Sequence, residues 1–339
     1  MKHLTRITAI AICLVPLMAG QLLAKEETIH KTFKKIKTLD IETVSGDCII
    51  EAGKGDNVVV DLVYDYPDDC FEPAFKQSGD RLQLEEHFRG YGGCSGSSEW
   101  TITVPKDMRI DFSSASGNLS VSDCTGKFGL ESASGYIEID QCEGKYEIDN
   151  ASGRIEISIS KGDFEVDNAS GRIAISNSEG DFKVDNASGH IRMQDVSGQF
   201  ELDNASGDIE IDNIVGQLKV DNASGDIDAT RAVIEDMSDF DTASGDISVT
   251  LAKSPEHDIT LDSASGNVVL NYNGNPVSGY FEFSARKDRG KIDAPYKFDK
   301  EEEYEYQGRV YVRKSFTREK DTPRIVLSTA SGKIELKLE

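Results

Sequence analysis

Five aspartates, Asp149, Asp167, Asp185, Asp203 and Asp221, recur at a constant interval of 18 residues. Each is followed by an asparagine (Asn150, Asn168, Asn186, Asn204, Asn222) and then by Ala-Ser-Gly. Carboxylates repeated along one line point to cation binding, with calcium as the ion to test and no other cofactor expected. Neighbours about 4.8 Å apart, the spacing of adjacent strands, repel by about 0.9 kcal/mol in water. Salt lowers that further. Lys183 and Lys219, two residues before Asp185 and Asp221, relieve part of it. The column can therefore persist as a solvated acidic face with no metal. The asparagines read as a structural turn stack, because aligned Asn side chains can bond to one another and to turn backbone.

Other reactive residue types form no constellation. His30, His87, His190 and His257 are scattered, with no second histidine at ligand spacing. The serine of each Ala-Ser-Gly belongs to a turn. The sequence holds no nucleophile elbow and no phosphate-cradling glycine loop. No catalytic or cofactor-binding residue is assigned, and the expectation is a non-enzymatic chain. The alternative is a polysaccharide lyase or hydrolase, with a carboxylate pocket beside segment 271–322. The calcium β-roll of secreted toxins also has two nonapeptides per coil, but its turns hold the ion with Gly-Gly-x-Gly-x-Asp. Here they read Asn-Ala-Ser-Gly or, at 178–180, Ser-Glu-Gly. The outward places Arg154, Arg172, His190 and Arg192 offer a mixed-charge face to a carbohydrate or protein partner.

Cys48, Cys70, Cys94, Cys124 and Cys142 follow the N-terminal segment. Cys70 and Cys94 bracket a turn-rich stretch and form the first disulfide candidate. Cys124 and Cys142 are 18 residues apart, at one position of successive repeats. The strand spacing lies within the Cα range of a disulfide. They are either a second disulfide or a pair of buried thiols.

The elements that must position these residues follow from the repeat. Ala-Ser-Gly places Gly at 117, 135, 153, 171, 189, 207 and 225, and a second Gly series at 126, 144, 162, 180, 198 and 216 falls nine residues later. Gly245, Gly266 and Gly332 extend the first series with looser spacing. After each Gly come alternating apolar residues, such as Ile155 and Ile157, or Phe164 and Val166. Alternation over about five residues is a half-buried strand. Each coil of 18 residues then holds two strands and two turns. The fold class expected is all-β, a parallel β-solenoid of the β-helix or β-roll kind with irregular β caps at both ends. No coil stands alone, since a repeat buries its apolar face only against its neighbours.

The chain has 339 residues and a formal net charge of -24. That balance excludes nucleic acid, whose phosphates require a basic surface. It also opposes docking on an anionic lipid face. Lys2 and Arg6, the apolar run Ile7–Ala19 and the small residues up to Ala24 have the layout of a secretory signal peptide. The run is short for a membrane span, and no other stretch is long enough for one. The expected location is the periplasm, the cell surface or the exterior. The organisation reads as 1–24 signal peptide, 25–112 N-terminal β cap with degenerate first coils, 113–270 solenoid, and 271–339 insertion, hairpin and closing coil.

The early Val-Ser-Gly-Asp coil, Thr101-Ile-Thr-Val-Pro-Lys-Asp, the Ser-Ala-Ser-Gly series and the closing Ser-Gly-Lys-Ile-Glu-Leu together resemble the bacterial "putative adhesin" β-strand-repeat family, a domain of unknown function. The resemblance covers nearly the whole chain after the signal segment. It implies a solenoid at the cell envelope without established catalytic residues, acting as an adhesin or a scaffold. The partner it implies is a cell-envelope protein or glycan. A periplasmic envelope-stress factor that binds a protein is a further alternative.

Overall fold

The computed structural model describes residues 26–90 and 94–339; the signal-peptide reading of 1–24 lies outside them. Every regular element among these residues is a β-strand. The repeat region is a parallel β-solenoid. Ile137 pairs with Ile155, Ile155 with Ile173 and Ile173 with Ile191 on one face. On the other, Phe128, Tyr146, Phe164, Phe182 and Phe200 pair in succession. Period-two burial makes this arrangement stable: in Lys161–Asn168, Phe164, Val166 and Asn168 are buried while Asp163, Glu165 and Asp167 reach outward. The strands Ile191–Asn204 and Ile209–Asn222 run from one face to the other without a break.

Repetition of side chains makes the core a set of columns. The aromatic rings stack nearly parallel, with centroids 4.8, 4.3, 4.7 and 5.3 Å apart from Phe128 to Phe200. Across the thin interior lie columns of isoleucine that are almost fully buried. This ladder is legible in the sequence because each coil meets a near copy of itself.

The corners explain the two glycine series. Gly162 has φ +134°, and a Cβ there would lie 1.8 Å from the carbonyl oxygen of Gly144. Only glycine permits that approach between coils. The residue six places after the first Gly is left-handed in every coil from Asp123 to Arg231. Asn and Asp suit that conformation, but Ile159 also adopts it, at φ +50°, with its side chain exposed. At the first corner, an acceptor in one coil satisfies the next coil's backbone: Asp208 Oδ1 takes the Asp226 N–H at 3.1 Å, and Asp226 Oδ1 takes that of Asp246 at 2.8 Å. Arg154 and Arg172 cannot accept, and there the strands Gly153–Ser158 and Gly171–Ser176 start earlier and pair through backbone.

Both ends are built from non-local pairing. The coil made by Thr38–Thr43 and Asp47–Ala52 lies between the coil at 107–122 and the strands Arg81–Phe88 and Ser98–Val104. Antiparallel partners then close the edge: Phe71–Ser78 on one face, Asn57–Tyr64 and Glu27–Lys34 on the other. At the far end the sequence places Ile325–Leu336 as the last coil. The structure instead inserts it between the coil at 259–271 and the strands Gly279–Arg286 and Gly290–Asp293. The expected hairpin at Tyr304 and Tyr311 is present, formed by Lys300–Tyr306 and Arg309–Arg318. An outermost coil would expose unpaired backbone on both faces, so the insertion covers it with charged antiparallel strands.

Candidate binding groove

A groove of about 1420 Å³ runs along the solenoid where the aromatic face turns its corner. Its repeating unit is Asp-Asn-Ala. Alternation aims each Asp outward, turns each Asn inward, and leaves each Ala exposed at the bend. Asp149, Asp167, Asp185, Asp203 and Asp221 are in register, as their spacing predicts. The structure lengthens the column beyond them. Glu131 precedes Asp149, and Asp241 and Asp262 follow Asp221, giving eight carboxylates on consecutive strands. At about 4.8 Å per step the line is about 34 Å long. The three extra members each stand four residues before an Ala-Ser-Gly glycine, as the five do. Aligning on that glycine, rather than on Asp-Asn, identifies them.

The rungs are electrostatically unequal. Lys183 bridges Glu165 at 3.0 Å and Asp185 at 3.8 Å. Lys219 does the same for Glu201 at 2.7 Å and Asp221 at 3.9 Å. Asp167, Asp203 and Asp241 follow acidic residues instead. Burial raises the Asp167 carboxyl, with Asp185 and Asp149 adding to it. Burial, Asp185 and Asp221 raise Asp203. Burial, then Asp262 and Asp221, push Asp241 from its ordinary 3.8 up to about 6. The column is a line rather than a cage: among the described residues no three His, Cys, Asp or Glu side chains gather into a metal site.

The asparagines beneath bond to turn backbone. Nδ2 of Asn150 donates to the Gly135 carbonyl at 2.9 Å, and Asn222 repeats this with Gly207 at 2.8 Å. Asn150 Oδ1 accepts the Ser152 N–H at 3.2 Å. Of the two expected kinds of bond, Asn to Asn and Asn to turn backbone, the second is the one formed, because Nδ2 reaches across to the corner of the preceding coil while Oδ1 of Asn150 bonds within its own. Asn168, Asn186 and Asn204 reach Gly153, Gly171 and Gly189 in the same way. In the cap the equivalent place is taken by Glu86, one residue past the Glu42–Glu85 pair. Its carboxylate is buried and accepts from the N–H groups of Val44, Ser45 and Gly46, from Ser98 and from Trp100 Nε1. No local pattern marks Glu86, since an antiparallel hairpin brings it there.

Cys70 and Cys94 are joined in a disulfide. Cys124 and Cys142 are separate buried thiols, as is Cys48. Each of the four described histidines stands beside one carboxylate: His30 with Asp61, His87 with Glu85, His190 with Asp208 and His257 with Asp236. Arg154 and Arg192 are on the isoleucine face, paired with Glu156 and Glu210 at 2.7 and 3.4 Å. Arg172 lies in register with Arg154. Within the insertion, the nearly buried Glu282 is held by Arg313 at 3.2 Å and by Arg324 of the closing coil at 3.0 Å. No described helix is long and apolar enough to cross a membrane.

Stacked coils of fixed length, capped by antiparallel strands and carrying one continuous groove, define a β-solenoid that presents long faces rather than an enclosed pocket. The chain belongs to the Toastrack DUF4097 family, whose profile matches residues 36–307. Three solved structures are distantly similar. A "putative cell adhesion protein" from Clostridium sporogenes ATCC 15579 is 11% identical, over 93% of this chain and 100% of that one, with a TM-score of 0.20. A "putative adhesin" from Bacteroides fragilis NCTC 9343 is 10% identical, over 92% and 97%, with a TM-score of 0.28. A "putative lipid binding protein" from Parabacteroides distasonis ATCC 8503 is 10% identical, over 92% and 98%, with a TM-score of 0.34. These similarities are too distant to say what this chain binds. No curated protein matches it.

Proposed function

We propose that this protein is an exported, non-enzymatic binding protein of the cell envelope, an adhesin or scaffold whose groove contacts an extended partner. The observation that carries this reading is the in-register carboxylate groove, which repeats an outward carboxylate, an inward polar residue and an exposed Ala along seven consecutive strands. A repeating surface matches a repeating ligand, such as an envelope glycan or an extended protein segment. The mutual repulsion along the column, only partly offset by Lys183 at Asp167 and Lys219 at Asp203 and not offset at Asp241, favours a partner that brings positive charge or a bridging cation. Export rests on the N-terminal segment and on the Cys70–Cys94 disulfide, a bond of oxidising compartments.

The test is cell fractionation with surface proteolysis, followed by a glycan array and an envelope-fraction pull-down, each with and without calcium. Binding that is lost in an Asp167→Asn/Asp203→Asn/Asp241→Asn variant supports the proposal. Retention inside the cell, or no binding in either condition, overturns it.

A further inference from the structure

Cys124 and Cys142 occupy one corner position in successive coils, and the residues after them, Thr125 and Glu143, are a ladder pair. The Glu143 N–H donates to the Cys124 carbonyl at 3.0 Å, which fixes the two backbones one strand apart. That separation, about 4.8 Å, lies inside the Cα window of a disulfide. Each sulfur now turns back to the carbonyl two residues earlier, Ser122 at 3.1 Å and Asp140 at 3.3 Å. Cys142 Sγ also lies 3.6 Å from the Val121 carbonyl in the neighbouring coil, so it already leans toward Cys124. Joining the sulfurs requires both side chains to rotate out of these contacts and the two Cβ atoms to close to about 4 Å. Both thiols are 1–2% exposed. The third thiol, Cys48, stands on a different strand, paired with Trp100 and Leu119.

We propose that Cys124 and Cys142 are an oxidation site, joined by thiol–disulfide exchange while the chain folds into a staple between two consecutive coils. The co-reactant is a small or protein disulfide of the folding compartment. One cysteine thiolate attacks that disulfide, forming a mixed disulfide and expelling one thiol. The second cysteine attacks the bonded cysteine sulfur, forming the Cys124–Cys142 bond and expelling the other thiol. The pair loses two electrons and two protons, and the oxidant becomes two thiols. Burial sets the timing: the bond forms before the coil closes, and the folded coil then shields it from reductant. The staple lies just inside the N-terminal cap and resists the peeling of cap from repeat. Serine fills the same position at Ser160 and Ser178, so the corner accepts a small polar side chain.

The experiment refolds the full chain from reductant and guanidinium in a mixture of reduced and oxidised glutathione. The product is denatured, alkylated and digested. The expected result is two alkylated thiols, Cys13 in the N-terminal segment and Cys48, and a peptide joining Cys124 to Cys142 beside the one joining Cys70 to Cys94. A Cys124→Ser/Cys142→Ser variant should refold, keep the Cys70–Cys94 bond, lack the new cross-link and unfold at lower temperature than the oxidised parent. Four alkylated thiols in the parent, a glutathione adduct on Cys124 or Cys142 that goes no further, or a cross-link from Cys48 to either of them overturns the proposal. Equal unfolding temperatures of parent and variant overturn the staple.

Discussion

Asp241 is the rung on which the column's electrostatics can be measured. Its neighbours in register are Asp221 and Asp262. Two unit charges at about 4.8 Å repel by about 0.9 kcal/mol in water, so two neighbours cost about 1.7 kcal/mol before salt. Physiological salt, with a screening length of about 8 Å, leaves about 1 kcal/mol. The carboxyl is raised from 3.8 to about 6 by burial and these neighbours. That displacement corresponds to about 3 kcal/mol unscreened, and for a half-exposed group solvent reduces it to about 1 kcal/mol. A carboxyl raised on folding contributes its stability in full below its unfolded value, near pH 4, and loses it as pH rises through about 6. Asp241→Asn removes the charge. At pH 7.5 the variant should melt about 2 °C higher than the parent. The gap should close as pH falls below 4, and shrink in high salt. Asp185→Asn is the control, since Lys183 stands 3.8 Å from that carboxylate and no gain is expected. Calorimetric melting at several pH values decides the matter. A gap independent of pH, or a destabilised Asp241→Asn chain at pH 7.5, would refute the reasoning.

Four further outcomes are expected. Gly162→Ala should cost about 3–5 kcal/mol through backbone clash and strain, whereas Gly129→Ala, which meets only the Asp111 side chain at 2.9 Å, should be tolerated in the same urea titration. Ile159→Asn should stabilise by about 1 kcal/mol, because Asn accepts the left-handed conformation that a β-branched residue resists; a lower urea midpoint would count against this. Glu86→Ala should lose about 3–5 kcal/mol by stripping the Val44–Gly46 turn and Trp100 Nε1 of their acceptor, visible as early loss of Trp100 fluorescence during unfolding. Tyr146→Phe should gain about 1 kcal/mol, since the Tyr146 hydroxyl is buried in the aromatic column with no well-formed hydrogen bond to any described residue; unchanged or reduced stability would show that it bonds the nearby Ser160 hydroxyl.

Spacing and alternation, read from the sequence by itself, determined the parallel solenoid, the coil length, the inward columns and the five aspartates of the groove. They suffice because each coil meets a near copy of itself, so pairing follows from period alone. Tertiary structure decided the rest. It placed Ile325–Leu336 inside the end rather than at it. It brought Glu86 under the Val44–Gly46 turn and extended the column through coils whose spacing slips at Asp241 and Asp262. It also set which rungs are raised, through burial that a linear pattern does not contain. Caps pair strands far apart in the chain, and charge responds to everything that surrounds it. Neither effect repeats with the period, so neither could be read from it.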